Sequence, residues 1–565
     1  METFGKGSLG ARGTSATVGR VRRSGLLLAA CCLPALGGLA SSLLATARPG
    51  AGPITSTAAT VVTSPAPSVV VVTGHGWGHG LGLSQWGTYG YALHGWTFDR
   101  ILAHYYSGTT LGPAPVSTVR VLLASAKKTT IESPAAWAVV DAAGTKTALD
   151  PGRLVLKQKL SIPGHPDLQP PLTFTGKQPL LVANKPYRGR MAVSSDGKIV
   201  QVIDTIGLES YLKGVVPAEV PSAWPPEALK AQAVAARSYA LANVTTGRPF
   251  DLYRDTRSQV FGGLKLENAA TSAAVDATKG EVVLYNGKVA NTWFFSTSGG
   301  RTASAAEATG VAVPYLVPVS DPYDTASPYH DWGPMLLDAA AVARELKLSS
   351  PIADLQTVTG ASGRVRSVTV VSDDESQVTL TGNQVRGALE LRSTWFATGL
   401  LELLTRSKTM TYGGAVSLTG RARGTAAISL EAKPYGLDWA PAGELILDSG
   451  GAFSTIVHPQ IGTEYRVAWG SVRVGLARIA VAVRVDATIQ QGAASGSTAP
   501  PVANAAVQLQ WSADGTSGWE TVASSTTDVA GAFQLSAPSP AAGAYRVRVA
   551  PGHGLAVGLS KSACC

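Results

Sequence analysis

The sequence predicts an α+β domain, mixed short strands with a few helices, followed by two all-β sandwich repeats. Three observations carry that expectation. From Val69 to about Ser407, β-branched runs alternate with a few helical patterns. From about Met410 onward nearly every run reads as strand and turn, and that second part repeats itself at an offset of 79 or 80 residues. At 565 residues the chain is too long for a single core, and 45% hydrophobic with 15% charged residues describes globular domains and excludes a disordered or coiled-coil protein.

The chain begins with a basic stretch holding Arg20, Arg22 and Arg23, an apolar run from Gly25 to Leu44, and Ala45-Thr46-Ala47 ahead of Arg48-Pro49. That order reads as a secretory signal over 1–47 with cleavage after Ala47. Two other readings stay open, a retained membrane anchor and a lipid attachment at Cys31 in Leu28-Ala29-Ala30-Cys31. Export places the mature chain outside the cell, at a wall or surface. Residues 48–68, rich in Ala, Thr, Ser and Pro, read as a linker. The net charge is +10; residues 1–48 hold six basic and one acidic group, which leaves +5 for the remainder, a modest excess suited to an anionic wall. Its Lys and Arg are scattered and no basic stripe alternates with aromatics, so nucleic acid is not expected as a partner. The four cysteines, Cys31, Cys32, Cys564 and Cys565, stand at the two ends, so no core disulfide framework is expected.

The next informative stretch runs Gly74-His75-Gly76-Trp77-Gly78-His79-Gly80-Leu81-Gly82-Leu83-Ser84-Gln85-Trp86-Gly87. Its glycines exclude a good helix, so His75 and His79 are not a helical metal pair. No third metal ligand of carboxylate or thiolate type follows before Asp99. Flat aromatic faces with histidine and amide donors suit a polysaccharide, with His75, Trp77, His79, Gln85 and Trp86 as candidate contacts. A tightly packed glycine loop buried in the fold remains the alternative.

Glu219 follows in Gly214-Val215-Val216-Pro217-Ala218-Glu219-Val220-Pro221. Val216 and Val220 precede prolines and are expected to be extended, which would carry the carboxylate on a stiff loop. Behind it Pro225 and Pro226 suit a helical first turn, Glu227 suits the positive end of a helix dipole, and Ala228 to Asn243 contains no helix breaker. The many alanines let this helix pack close to a sheet, with Lys230, Gln232, Arg237 and Tyr239 expected to reach outward. Arg237 is a candidate ligand contact or a structural arginine.

Further on, Trp293-Phe294-Phe295-Ser296-Thr297-Ser298-Gly299-Gly300-Arg301-Thr302 leads from an apolar strand into a polar turn, with Ser298 and Arg301 as candidate ligand contacts. No G-x-S-x-G elbow supports a serine nucleophile, and no phosphate-binding glycine loop follows a strand, so no nucleotide or other cofactor is expected.

In the C-terminal part Ala426-Ala427-Ile428-Ser429-Leu430 recurs as Ala505-Ala506-Val507-Gln508-Leu509. Trp439 recurs as Trp519, Gly451-Ala452-Phe453 as Gly531-Ala532-Phe533, and Tyr465-Arg466-Val467 as Tyr545-Arg546-Val547. Units of this length with regular turn signals fit immunoglobulin-like sandwiches over 408–485 and 504–565, joined by a linker over 486–503.

The stretches Glu209 to Pro221, Glu227 to Ala240 and Ser296 to Arg301, with Ser84-Gln85-Trp86-Gly87, together resemble the stage II sporulation protein D / LytB family, also described as amidase enhancers. The resemblance covers roughly residues 70 to 400. It implies a secreted peptidoglycan lytic transglycosylase that cleaves glycan strands freed of stem peptides, with Glu219 as the catalytic acid and Gln259 among the substrate contacts. Such a protein would have peptidoglycan glycan strands and possible cooperation with an N-acetylmuramoyl-L-alanine amidase as its partners. A non-catalytic amidase enhancer that binds the wall is the alternative. The sporulation enzyme of this family holds zinc partly through Cys and His after the helix. Here Tyr253-Arg254-Asp255-Thr256-Arg257-Ser258-Gln259-Val260-Phe261 has neither, so no metal is expected.

Overall fold

A computed structural model describes residues 61–64, 66–244, 247–425, 427–539 and 541–564. The expected signal, Cys31, Cys32, most of the first linker and Cys565 lie outside the described residues. Among the described residues no helix is long and apolar enough to cross a membrane, and Cys564 is exposed and unbridged.

The region 69–407 mixes largely antiparallel sheets with helices. Its largest sheet places Leu252–Tyr253, Thr118–Ala126, Val200–Gly207, Arg190–Ser195, Leu172–Gly176, Trp137–Val140 and Lys146–Leu149 side by side in that order. A second sheet runs Lys185–Tyr187, Leu180–Val182, Lys128–Ser133, Gly152–Lys157. Strand alternation explains their mutual packing: Ile131, Val139, Phe174, Met191, Val193 and Val202 point to one shared core, while Lys128, Thr130 and Glu132 take the opposite face.

The helices that matter for the site are α1 (Gln85–Leu93), α2 (Phe98–Tyr105), α3 (Leu208–Lys213), α4 (Val216–Glu219), α5 (Pro226–Ala242) and α6 (Ala269–Ala277). Pro226 opens α5, where a missing N–H costs no intrahelical bond. Leu229, Ala233, Ala236 and Ala240 pack into the core of the two sheets. Ala231, Val234 and Ala235 pack into a second core with Leu83, Tyr91, Ile101 and Tyr105. Because both flanks of α5 are covered, Gln232 and Arg237 do not reach outward as expected; both are buried, and Lys230 and Tyr239 are half-buried. Alanine makes this embedding possible by letting neighbouring backbones approach closely, at little cost in side-chain entropy.

Glu219 also differs from expectation locally. It ends the single helical turn α4, which contains the pre-proline Val216, and is not on an extended loop. Pro217 occupies the first turn, where its ring is tolerated, and Val220, before Pro221, is extended at φ −136° and ψ 149°.

The C-terminal part is strand and turn, but its borders fall elsewhere than expected. The strand Phe396–Leu403 pairs with both Ser68–His75 and Val416–Arg423, so one sheet takes strands from both sides of residue 408. Val69, Val71, Leu401 and Leu403 share a core with Leu418, Leu430, Val467 and Val474. The end of the first linker forms the strand Val62–Ser64, paired parallel to Val472–Ala482. Residues 486–503, expected as a linker, belong largely to a hairpin of Arg484–Gln490 and Ala493–Ala499. Its small Ala, Ser and Gly residues read as flexible in sequence, yet they fit the close contact of Gly496 with the Phe533 ring. The repeat is structural. Arg466 lies 4.0 Å over the Trp439 ring and Arg546 lies 4.0 Å over the Trp519 ring, and Tyr545 Oη donates back to Ala541 O at 3.0 Å.

Candidate functional site

The glycine-rich stretch and the serine stretch are laid against each other. Leu83–Ser84 pairs parallel with Phe294–Phe295, and Trp77 bridges Thr297. The close fit demands glycine: at Gly82, φ is +70° and a Cβ would sit 2.2 Å from Trp293 O. The chain then turns into α1, whose N-cap Ser84 accepts from Gly87 N at 3.1 Å and also from Ser298 N at 3.2 Å. Gln85, the first residue of α1, is thereby fixed.

Gln85 is buried and reaches Glu219. The Glu219 carboxyl keeps some exposed surface but is enclosed by protein on most sides. Burial pushes its pKa up from 4.5 to about 7, while hydrogen bonds from the Val260 backbone and the Gln85 side chain hold it below what burial alone would give. Two phenols stand near: those of Tyr211 and Tyr239 are pushed up by burial first and by the Glu219 charge second. Tyr211 Oη donates to Gln259 Oε1 at 3.2 Å, and Gln259 Nε2 donates to Ala236 O at 3.3 Å. Gln259 is therefore buried and occupied in anchoring the loop that delivers Val260.

A cluster of aromatic rings joins the segments that carry Gln85 and Glu219. Trp86, adjacent to Gln85, meets Trp224 at 5.2 Å and Tyr89 at 5.6 Å, and Tyr89 meets Trp224 at 5.2 Å. Trp86, Tyr89 and Trp224 are half-buried, so ring surface remains open. Tyr239, which feels the Glu219 charge, lies edge-on to Trp293 at 6.1 Å and to Phe294 at 5.8 Å. A raised-pKa carboxyl with flat rings beside it can donate and retrieve a proton on a ligand with apolar faces and hydroxyls.

Other expected contacts are placed elsewhere. Arg237 is fully buried, with Nη2 and Nε donating to Glu209 at 2.5 and 3.1 Å and Nη1 to Glu281 O at 3.0 Å. It ties α3, α5 and the chain after α6 together, and its guanidinium is not available to a ligand. His79 uses both ring nitrogens on the backbone, at Phe294 O and Leu81 N, and burial pushes its pKa down to about 4, so it is a neutral brace. Ser298 is buried and donates to Asp324 at 2.8 Å. Arg301 is exposed and reaches the Asp321 segment by a backbone bridge to Ser320. His75 pairs with Asp331 at 2.6 Å, and Trp77 packs against Tyr329 at 4.3 Å with Arg392 beside both. Of the expected contacts, then, Gln85 meets Glu219 directly, Trp86 follows it on α1 and packs on Trp224, and Gln259 supports the loop that carries Val260.

Sequence reasoning missed Tyr211, Tyr89, Trp224 and the Val260 N–H. Trp224 carried a signal, lying between Pro221 and Pro225 just after Glu219. It also missed the buried pair Asp321 and Asp324. Asp324 accepts from Gly299 N and His330 Nδ1, both at 2.6 Å, and burial with Asp324 beside it pushes Asp321 up to about 7. The Asp321 carboxyl lies beneath α1, where Gly87 leaves it room.

A zinc site of the kind held by the sporulation enzyme does not fit these residues. The segment Tyr253 to Phe261 offers two arginines and one aspartate, and Asp255 is taken up by Arg257 at 2.7 Å. Among the described residues no group of three or more His, Cys, Asp or Glu is placed to hold a metal ion.

Residues 196–285, from the strand before α3 to the strand after α6, match the SpoIID family, described as Stage II sporulation protein. An uncharacterised protein of Brachyspira hyodysenteriae is 45% identical over 133 residues, 23% of this chain and 36% of its own length. The Amidase enhancer of Bacillus subtilis is 39% identical over 140 residues, 25% of this chain and 19% of its own length. Stage II sporulation protein D of Bacillus subtilis is 31% identical over 215 residues, 35% of this chain and 61% of its own length. The chain thus spans between about a fifth and three fifths of these relatives. Among solved structures, the tandem Ig repeats of Dlar align over 29% of this chain and 95% of their own, at 13% identity and a TM-score of 0.11, too low to bear on the fold.

Proposed function

We propose that this chain, a SpoIID/LytB family protein by its central segment, is an exported wall enzyme that cleaves peptidoglycan glycan strands as a lytic transglycosylase, with Glu219 as its acid and base. One observation carries the proposal: a single carboxyl, held by burial at about 7 and still partly exposed, hydrogen-bonded by Gln85 at the start of the helix that also carries the half-buried rings of Trp86 and Tyr89. An ordinary surface glutamate is ionised at neutral pH and has no proton to give.

The steps balance on that one group. Protonated Glu219 gives its proton to the glycosidic oxygen, the bond from that oxygen to C1 of muramic acid breaks, and the sugar passes through an oxocarbenium-like state. The carboxylate left behind then takes the proton of the muramic C6 hydroxyl as O6 bonds to C1. Glu219 ends protonated, no water is consumed, and a 1,6-anhydro end remains. A second carboxylate to activate water is not needed because the nucleophile belongs to the substrate. The Val260 N–H and the Gln85 amide support the charged intermediate state of Glu219, and Trp86, Tyr89 and Trp224 offer faces for sugar rings. Strands already stripped of stem peptides are the substrate that the family resemblance implies.

A second reading, a wall-binding amidase enhancer without catalysis, is favoured by the name of one relative. Digestion of stem-free glycan strands followed by mass analysis separates the two. The first reading expects anhydro-muramic products from the wild type and none from Glu219→Gln. Failure of the wild type to release them, together with faster turnover of an added amidase, establishes the second.

A further inference from the structure

Away from Glu219, the outward face of the second sheet forms one wall of an open cleft of about 810 Å³. The strand Thr118–Ala126 and the loop through Arg254 to Arg257 form the other side. Five cations line it, Lys128, Arg153, Lys185, Arg254 and Arg257, against one carboxylate, Asp255. Arg257 is held by Asp255, and Arg254 donates to Tyr187 Oη at 2.9 Å. Lys128, Arg153 and Lys185 form no ion pair among the described residues. At the edge of the cleft the sheet register sets Lys128 directly opposite Lys157, a like-charge arrangement that disfavours the bare sheet, while Arg153 stands opposite Glu132.

Two features narrow the ligand. Arg153 and Lys128 are offset by four positions in the register of their paired strands, about 13 Å at the usual strand rise, so a single phosphate or carboxylate cannot span the cations. The lining contains no aromatic side chain, so it offers nothing on which a sugar ring or a base could stack. We propose that this cleft binds a polyanion of phosphodiester-linked polyol units, a chain with charge at every repeat and no flat faces. That such a polymer would be a wall component rests on the function proposed above; the binding itself does not. The loop carrying Arg254 and Arg257 continues to Gln259 and Val260, so an occupied cleft would hold the enzyme on the wall through the loop that also supports Glu219.

The test is direct binding of synthetic poly(glycerol phosphate) to the full mature chain, read by fluorescence anisotropy across a salt series. Wild type and Glu219→Gln are expected to bind alike, with affinity falling steeply as salt rises. Lys128→Glu/Arg153→Glu/Lys185→Glu is expected to bind at least about tenfold more weakly, and the milder Lys128→Gln/Lys185→Gln to fall between, both still unfolding in one cooperative thermal transition. Equal binding by the triple variant overturns the proposal. So does equal affinity for poly-glutamate or for single-stranded DNA of matched charge, because the first assigns the cleft to carboxylates and the second to nucleic acid. Loss of glycan cleavage in Glu219→Gln with this binding intact separates the two proposals.

Discussion

Replacing Glu219 by glutamine is expected to stabilise the fold while removing activity, with a pH dependence that identifies the cause. The carboxyl has a pKa of about 7 in the folded chain and an ordinary value of 4.5. A raised pKa on an acid means that the folded state binds the proton more tightly than the unfolded state. Below pH 4.5 the group is protonated in both states and costs nothing. As pH rises through the window from 4.5 to about 7, stability is lost, and above it the loss is complete. At 1.36 kcal/mol per pH unit the window corresponds to at most about 3 kcal/mol, and the part of the carboxyl that still meets water lowers that figure. Glutamine keeps the shape and an acceptor oxygen for the Val260 N–H, but never ionises. Urea unfolding of both proteins at about pH 4 and about pH 8.5 measures the effect. The variant should match the wild type at the acid end and exceed it by roughly 1 to 3 kcal/mol at the alkaline end. A difference that is the same at both pH values, or a variant less stable at the alkaline end, refutes the buried, proton-holding carboxyl and the chemistry built on it.

The remaining expectations concern the surroundings of that group. Arg237→Met should cost about 3 kcal/mol, measured by thermal unfolding, because it leaves Glu209 facing buried backbone without its cation. The double change Arg237→Met with Glu209→Met should recover much of it, which a ligand-binding arginine would not allow. Trp224→Ala should raise KM for stem-free glycan roughly tenfold with a smaller change in kcat, since the ring offers a face to the sugar and no proton; an unchanged KM removes Trp224 from the binding surface.

Much of the architecture was legible because it rests on local patterns. The alanine run after Pro226 became a helix within two residues of its expected bounds, and the 80-residue offset between Trp439 and Trp519 became the same arginine stack twice. What was not legible depended on contacts between distant segments. Arg237 looked like an exposed cation because nothing in its own helix shows that cores close over both flanks. Ser298 and His79 looked like ligand contacts because their partners, Asp324 and the Phe294 carbonyl, come from elsewhere in the chain. Residues 486–503 looked like a linker because small residues mark both flexible tethers and tightly packed strands. Around Glu219, the acid itself could be read from its motif, and Gln85 from its own. That the two motifs meet could not, because 134 positions separate them and they come together only where α1 and α4 both pack against α5.

The strand Ser68–His75 gives the sheet drawn from both sides of residue 408 a consequence for how this protein can be divided. That strand leads directly into the glycine-rich stretch, while its Val69 and Val71 lie in the core of the first C-terminal sandwich. A chain cut after residue 407 would leave those valines, with Leu401 and Leu403, facing water along an open strand edge, which invites aggregation. The sandwich next to the site is therefore a buttress of the fold that presents Gln85, and the second unit is tied to it in turn, with Gly462 N donating to Gly554 O and Ala556 N to Val481 O, both at 2.8 Å.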